Sequence, residues 1–174
     1  MTAPTIHATT VALGESGVLI RGASGAGKSA LALALLADWH AKGRFSRLVA
    51  DDRTALSAAH GRLIARAPSA IAGAMEVRGL GICAADALAA VRVDLVVDLL
   101  PAGEAPRYPD EDARNVTLEG IDVPLVTLPA RTTKISAQSV TYLLAGDGLT
   151  ARYIRRQRPP DNDPHEGRTR GGDR

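Results

Sequence analysis

Cysteine is nearly missing from this sequence: Cys83 is the single thiol in 174 residues, and one thiol forms no bridge within a chain. Disulfide scaffolds are therefore excluded, and stability must come from a hydrophobic core, for which a chain of this size is long enough. Aromatic residues are almost as scarce. Phe, Trp and Tyr total five, so there is little surface on which nucleic-acid bases could stack. No apolar run is long enough to cross a bilayer, the strongest being residues 30–37 and 93–100. A basic segment followed by an apolar stretch, the pattern of an export signal, is also missing from the N-terminal residues, so the expected location is cytoplasmic. One-signed charge is absent from the body. The net charge of +2 belongs entirely to residues 155–174, where six Arg face four acidic residues, and the rest balances 15 basic against 15 acidic side chains. With no basic face and no stacking platform, a nucleic-acid partner is not expected. Residues 151–174, rich in Pro, Gly, Asp and Arg, read as a tail unable to bury enough apolar surface to order itself, after one domain over 1–150.

Glycine, by contrast, is plentiful, and it punctuates a mixed succession of short elements. Residues 11–13 and 18–21 read as strands joined by the turn Gly14-Glu15-Ser16-Gly17. Residues 29–42 are helix formers almost throughout, capped by Gly43, and their apolar side chains wrap most of the circumference, which predicts burial all round. A strand over 47–50 ends at Asp51-Asp52, and 56–57 with 62–65 suggests a hairpin around Gly61. Residues 75–81 read as a glycine-punctuated loop, 84–91 as a helix, and 93–100 as the most strand-like run in the chain. An exposed excursion over 102–115, strands at 117–118 and 124–128, and a helix over 136–144 complete the reading. Few helices and several hairpins predict an α/β fold with a mixed sheet.

The most informative stretch is Gly22-Ala23-Ser24-Gly25-Ala26-Gly27-Lys28-Ser29, which satisfies G-x-x-x-x-G-K-[ST] in full. Average residue usage gives on the order of one chance match per hundred chains of this size. Its place between a strand and a helix is where such a loop must lie. Glycines allow successive backbone N–H groups to point inward at phosphate oxygens, at the positive end of the helix dipole. Lys28 would reach the outer phosphates of a nucleotide and the Ser29 hydroxyl would ligate Mg²⁺. Downstream, Asp51 and Asp52 sit where an acid serving the metal belongs. One suffices for Mg²⁺, so the second could take the proton of an incoming hydroxyl; alternatively both are plain metal ligands or a helix cap, since neighbouring side chains on a strand point to opposite faces. There is no N-K-x-D guanine-reading motif.

Over residues 5–145 the sequence resembles the catalytic domain of the bacterial HPr kinase/phosphorylases, in a short form without the N-terminal domain many members carry. Five ordered features carry the resemblance: His7 placed 15 residues before Gly22; the loop read as G-x-S-G-x-G-K-S; Leu48-Val-Ala-Asp-Asp52; Glu76-Val-Arg-Gly-Leu-Gly81; and Pro124-Leu-Val-Thr-Leu-Pro-Ala-Arg131. Ala30 and Ala130 depart from the family's acidic residue after G-K-S and from the Gly of its P-G-R segment. The resemblance implies a P-loop kinase core that uses ATP and Mg²⁺ to phosphorylate a serine of the phosphocarrier protein HPr. It also implies a reverse activity, in which inorganic phosphate removes that group as pyrophosphate, and assembly as a ring-like hexamer. Carried over by position, Asp51 would be the base, His7 would neighbour it, and Lys28 would act at the phosphates. Glu76 and Asp52 would join Ser29 at the metal site, and Arg131 would face developing negative charge. The other readings the residues leave open are a P-loop kinase of a small metabolite and a nucleotide-binding regulator without catalysis.

Overall fold

The two strands expected around Gly14 form the hairpin from which the molecule is built, and a computed structural model describes the chain over residues 4–108 and 110–145. The tail expected over 151–174 lies outside the described residues. In chain order the strands are β1 (Thr5–Ile6), β2 (Ala8–Leu13), β3 (Ser16–Gly22), β4 (Ser46–Ala50), β5 (Thr54–Ala59), β6 (Arg62–Arg66), β7 (Ala74–Val77), β8 (Gly81–Ala84), β9 (Ala90–Leu100), β10 (Asn115–Leu118) and β11 (Ile121–Pro129). Two helices accompany them, α1 (Lys28–Ala41) and α2 (Thr133–Leu144), with short 3₁₀ turns at Ser69–Ile71 and Glu111–Arg114.

Nine strands form one mixed sheet in the order β1-β5-β6-β9-β3-β2-β4, with β11 joined in parallel to β9 and β10 antiparallel to β11. The expected mixed α/β architecture with few helices is what is found. β2 and β3 are linked by only Gly14 and Glu15, since Leu13 already pairs with Ser16. Gly14 has φ 61°, the left-handed conformation that a two-residue hairpin turn demands. The β-branched run of β9 makes it the hub: it pairs with β6 through Ala90–Arg92, in parallel with β3 from Val93, and in parallel with β11 from Val96.

Alternation along the strands divides the core in two. Val11, Leu13, Val18, Ile20, Leu48, Val97 and Leu99 face the helices and pack on Leu31, Leu35 and Trp39 of α1 and on Val140 of α2. On the other face Ala8, Leu19, Leu56, Leu63, Ala65 and Val96 form a second cluster.

Four local expectations are corrected. No helix spans 84–91: β8 ends at Ala84, residues 86–88 run beside β4 through Leu48 N–H to Asp86 O (3.0 Å) and Leu88 N–H to Leu48 O (2.7 Å), and β9 begins at Ala90. The alanine-rich composition favours a helix, but backbone pairing to the open edge of β4 overrides it. Residues 75–81 are not simply a loop, since β7 and β8 form a separate two-stranded ribbon with its turn at 78–80. Finally, α1 is not buried all round: Leu31, Ala32, Leu35 and Trp39 face the sheet, whereas Leu33 is 44% exposed. The second helix begins at Thr133, three residues before the expected start.

Candidate active site

The topology brings five chain segments to one edge of the sheet. β4 and β3 each run antiparallel to β2, so the C-terminal ends of both lie beside the N-terminal end of β2. β9 and β11 run parallel to β3, and their C-terminal ends arrive at the same edge. His7, the loop at 22–29, Asp51, Asp52 and Arg131 therefore converge although they are spread over 125 positions of sequence. They line a cleft of about 560 Å³ together with Glu76, Arg78, Leu33 and Thr133.

The loop has the conformation its glycines allow. Gly22, Gly25 and Gly27 adopt φ values of 152°, 74° and 99°. At Gly22 a β-carbon would lie 2.9 Å from the Leu99 carbonyl oxygen, so no other residue fits. Arg131 braces the loop from the end of β11. Its N–H donates to Ala26 O (3.0 Å) and its Nε to Gly25 O (3.3 Å), while Ala130 N–H is tied to Leu100 O.

Lys28 is 6% exposed. Its Nζ donates to the carbonyls of Gly22 and Ala23, both at 3.2 Å, and lies 2.7 Å from His7 Nε2. Burial pushes its pKa below the ordinary 10.5, with Asp52 and then Asp51 acting in the opposite direction. An ammonium group has three protons and no lone pair, so His7 Nε2 must accept. His7 Nδ1 then carries the ring proton and donates it to the Asp52 backbone oxygen (3.1 Å), with the carboxylate Oδ1 of the same residue 3.0 Å away.

The adjacent carboxylates face different surroundings. Asp51, 5% exposed, receives three hydrogen bonds: Thr9 Oγ1 (2.8 Å) and Ser29 Oγ (2.9 Å) donate to Oδ1, and Glu76 N–H (3.0 Å) donates to Oδ2. The side chain of Asp52 is 67% exposed and opens on the cleft. Asp52 sits at φ 62° in a tight turn closed by Arg53 N–H to Asp51 O (2.7 Å), which swings its carboxylate away from that of its neighbour. His7, expected beside Asp51, therefore meets Asp52 instead. Among the described residues four non-glycine positions have positive φ, and two of them, Asp52 and Arg131, line this cleft.

Of the expected site residues, His7, Ser24, Gly25, Gly27, Lys28, Ser29, Asp51, Asp52, Glu76 and Arg131 line the cleft, while Gly22, Ala23 and Ala26 shape the loop behind it. Among the described residues no group of three His, Cys, Asp or Glu side chains forms a ready metal cage. The oxygen donors at hand, Ser29, Asp51, Asp52 and Glu76, suit a cation such as Mg²⁺ that keeps waters and phosphate oxygens among its ligands. Sequence reasoning missed Thr9 and Thr133. Neither carries a signal, since Thr is common both inside strands and at helix starts.

A family model described as the HPr serine kinase C-terminal domain matches residues 2–145. HPr kinase/phosphorylase from Prosthecochloris aestuarii is 33% identical over 153 residues, covering 79% of this chain and 43% of that protein. The corresponding protein from Chloroherpeton thalassium is 36% identical over 134 residues, covering 71% and 37% respectively. The chain thus spans less than half the length of these two curated relatives. Among solved structures, the Hpr(Ser) kinase/phosphatase from Coxiella burnetii superposes with a TM-score of 0.68 at 27% identity, covering 82% of this chain and 97% of that one.

Proposed function

Because the chain belongs to the HPr serine kinase C-terminal domain family, we propose that it transfers the γ-phosphoryl group of ATP to a serine hydroxyl of an HPr-type phosphocarrier protein. The observation that carries this reading is the exposed Asp52 carboxylate at the mouth of the glycine loop, in contact with His7, which in turn bonds Lys28. A kinase needs this juxtaposition of a phosphate cradle and a proton acceptor open to an incoming hydroxyl.

In the forward direction the serine oxygen forms a bond to the γ-phosphorus, the bond from that phosphorus to the β–γ bridging oxygen breaks, and the serine proton passes to Asp52. The reading assigns the base to Asp52 in place of Asp51, because all three donors around Asp51 already occupy its carboxylate inside the fold. The His7 ring lies against Oδ1 of Asp52 (3.0 Å), which leaves Oδ2 for the substrate. Lys28, detached from the loop carbonyls, would neutralise charge on the transferred group, and Arg131 would add positive charge from the opposite wall. Ser29, with help from Asp51, Asp52 and Glu76, would hold Mg²⁺, which when bound would supply neutralisation of phosphate charge. In reverse, an oxygen of inorganic phosphate forms a bond to the phosphorus of phosphoserine, the bond from that phosphorus to the serine oxygen breaks to give pyrophosphate, and Asp52 returns its proton to the serine oxygen. The ring-like hexamer implied by the resemblance belongs to the same reading.

The test is incubation of the protein with HPr, γ-labelled ATP and Mg²⁺. Acid-stable phosphoserine on HPr is the expected result. Label on a small molecule instead, or nucleotide binding with no transfer, overturns it.

A further inference from the structure

The buried hydroxyl of Thr9 has no place in the scheme so far. On β2, the side chains of Val11 and Leu13 pass into the helix-facing core, both at most 1% exposed and both apolar. Thr9 shares their face, is 0% exposed, and ends the apolar row with a polar group. Burying a hydroxyl is unfavourable unless it is bonded, and a valine of nearly the same shape would fill the space at no such cost. Thr10, on the other face, bonds to Thr54, which in turn donates to Ala8 O and stays inside the β2–β5 contact. Thr9 instead donates its proton to Asp51 Oδ1, the same oxygen that accepts from Ser29.

We propose that Thr9 is a positioning residue for the divalent cation that accompanies the nucleotide, acting through Asp51 on Ser29. The inference rests on the nucleotide-binding part of the reading above. A serine hydroxyl ligates a cation with a lone pair, and does so best when its single proton is committed elsewhere. Asp51 is where the Ser29 proton goes. Thr9 and the Glu76 N–H hold the two Asp51 oxygens from opposite sides, so the carboxylate cannot rotate away and release the Ser29 hydroxyl. Asp51 thus acts as a shared acceptor, and its orientation is set from inside the sheet by a strand that contributes nothing else to the phosphate cradle.

The experiment measures ADP binding calorimetrically, with Mg²⁺ and with EDTA, for the wild type, Thr9→Val and Thr9→Ser. The valine variant removes the hydroxyl and keeps the shape. It is expected to weaken Mg-ADP binding about tenfold, the worth of one hydrogen bond to a charged group, and to leave binding in EDTA unchanged. Serine is expected to restore Mg-ADP affinity to within about twofold, since it returns the hydroxyl. An equal loss in EDTA, or an unchanged Mg-ADP affinity beside a lowered melting temperature, overturns the proposal, because either makes Thr9 a structural residue. A protein that shows the expected Mg-dependent pattern yet leaves HPr unlabelled upholds the Thr9 assignment and overturns the kinase reading alone.

Discussion

Exchanging each of the two adjacent aspartates for asparagine separates the base from the scaffold. In Asp51→Asn the side chain keeps one carbonyl oxygen, which can still accept from Thr9 and Ser29. The new NH₂ group then faces the Glu76 N–H, now 3.0 Å from a donor in place of an acceptor. One unsatisfied buried N–H, together with loss of the charge on the remaining bonds, costs about 2–4 kcal/mol. For a chain of this length that lowers Tm by roughly 4–16 °C. Asp52→Asn breaks only a pair whose side chains are 46% and 67% exposed, His7 and Asp52. Exposed pairs of this kind contribute about 0–1 kcal/mol, so Tm should move by no more than about 4 °C. Turnover behaves in the opposite way. Removing the base should cut phosphoryl transfer by about 10²–10⁴-fold in Asp52→Asn, with ADP affinity measured in EDTA retained. Scanning calorimetry and a phosphoserine assay on the same preparations give both readings. If Asp52→Asn turns over as fast as the wild type, the assignment of the base is refuted.

Lys28→Met should weaken nucleotide binding by about 10–100-fold, measured by calorimetry, because charge-assisted bonds to the phosphates are lost. The lysine also sets a pH dependence: burial lowers its folded pKa below 10.5, so as the pH rises toward that value the native state sheds the proton before the unfolded state does. The unfolded chain then binds more protons and stability increases with pH, an increment that the methionine variant should lack when denaturant midpoints are compared as the pH is raised toward 10.5. Identical slopes in the two proteins would contradict the burial argument. Arg131→Gly should keep Tm within about 4 °C, since glycine accepts φ 63° without strain, while transfer falls at least tenfold, roughly the loss of one charge-assisted contact. Arg131→Val, β-branched at a left-handed position, should lower Tm as well, and a valine variant as stable as glycine would mean the turn relaxes.

Local residue chemistry made the loop, the strand ending at Asp51 and the two helices visible in the sequence, because each depends on near neighbours. The loop needs glycine where φ is positive, and the cap at Gly43 follows the last helical turn. What escaped depends on contacts between distant segments. Residues 84–91 have the composition of a helix, yet pairing to Leu48 draws them out straight. The partner of His7 was misplaced by one residue because the turn at Asp52 is a property of backbone geometry, and two consecutive aspartates look alike until that turn directs one inward and the other out. Thr9 was invisible for a related reason. A threonine within A-T-T-V-A-L reads as an ordinary strand residue, and only the folded neighbour, Asp51, makes its hydroxyl matter.

The two-residue link at Gly14 and Glu15 governs more than the hairpin it closes. Side chains alternate along β2, so the register that sends Thr9 inward and Val11 into packing also fixes where His7, immediately before the strand, reaches the cleft. Deleting Glu15 would leave too little chain to preserve this phase, and a shift of one place would exchange His7 and Thr9 for Ala8 and Thr10. The geometry of the cleft is thus indexed by a bend at the far end of the strand, and an alteration there would disturb the cleft without touching any group that lines it.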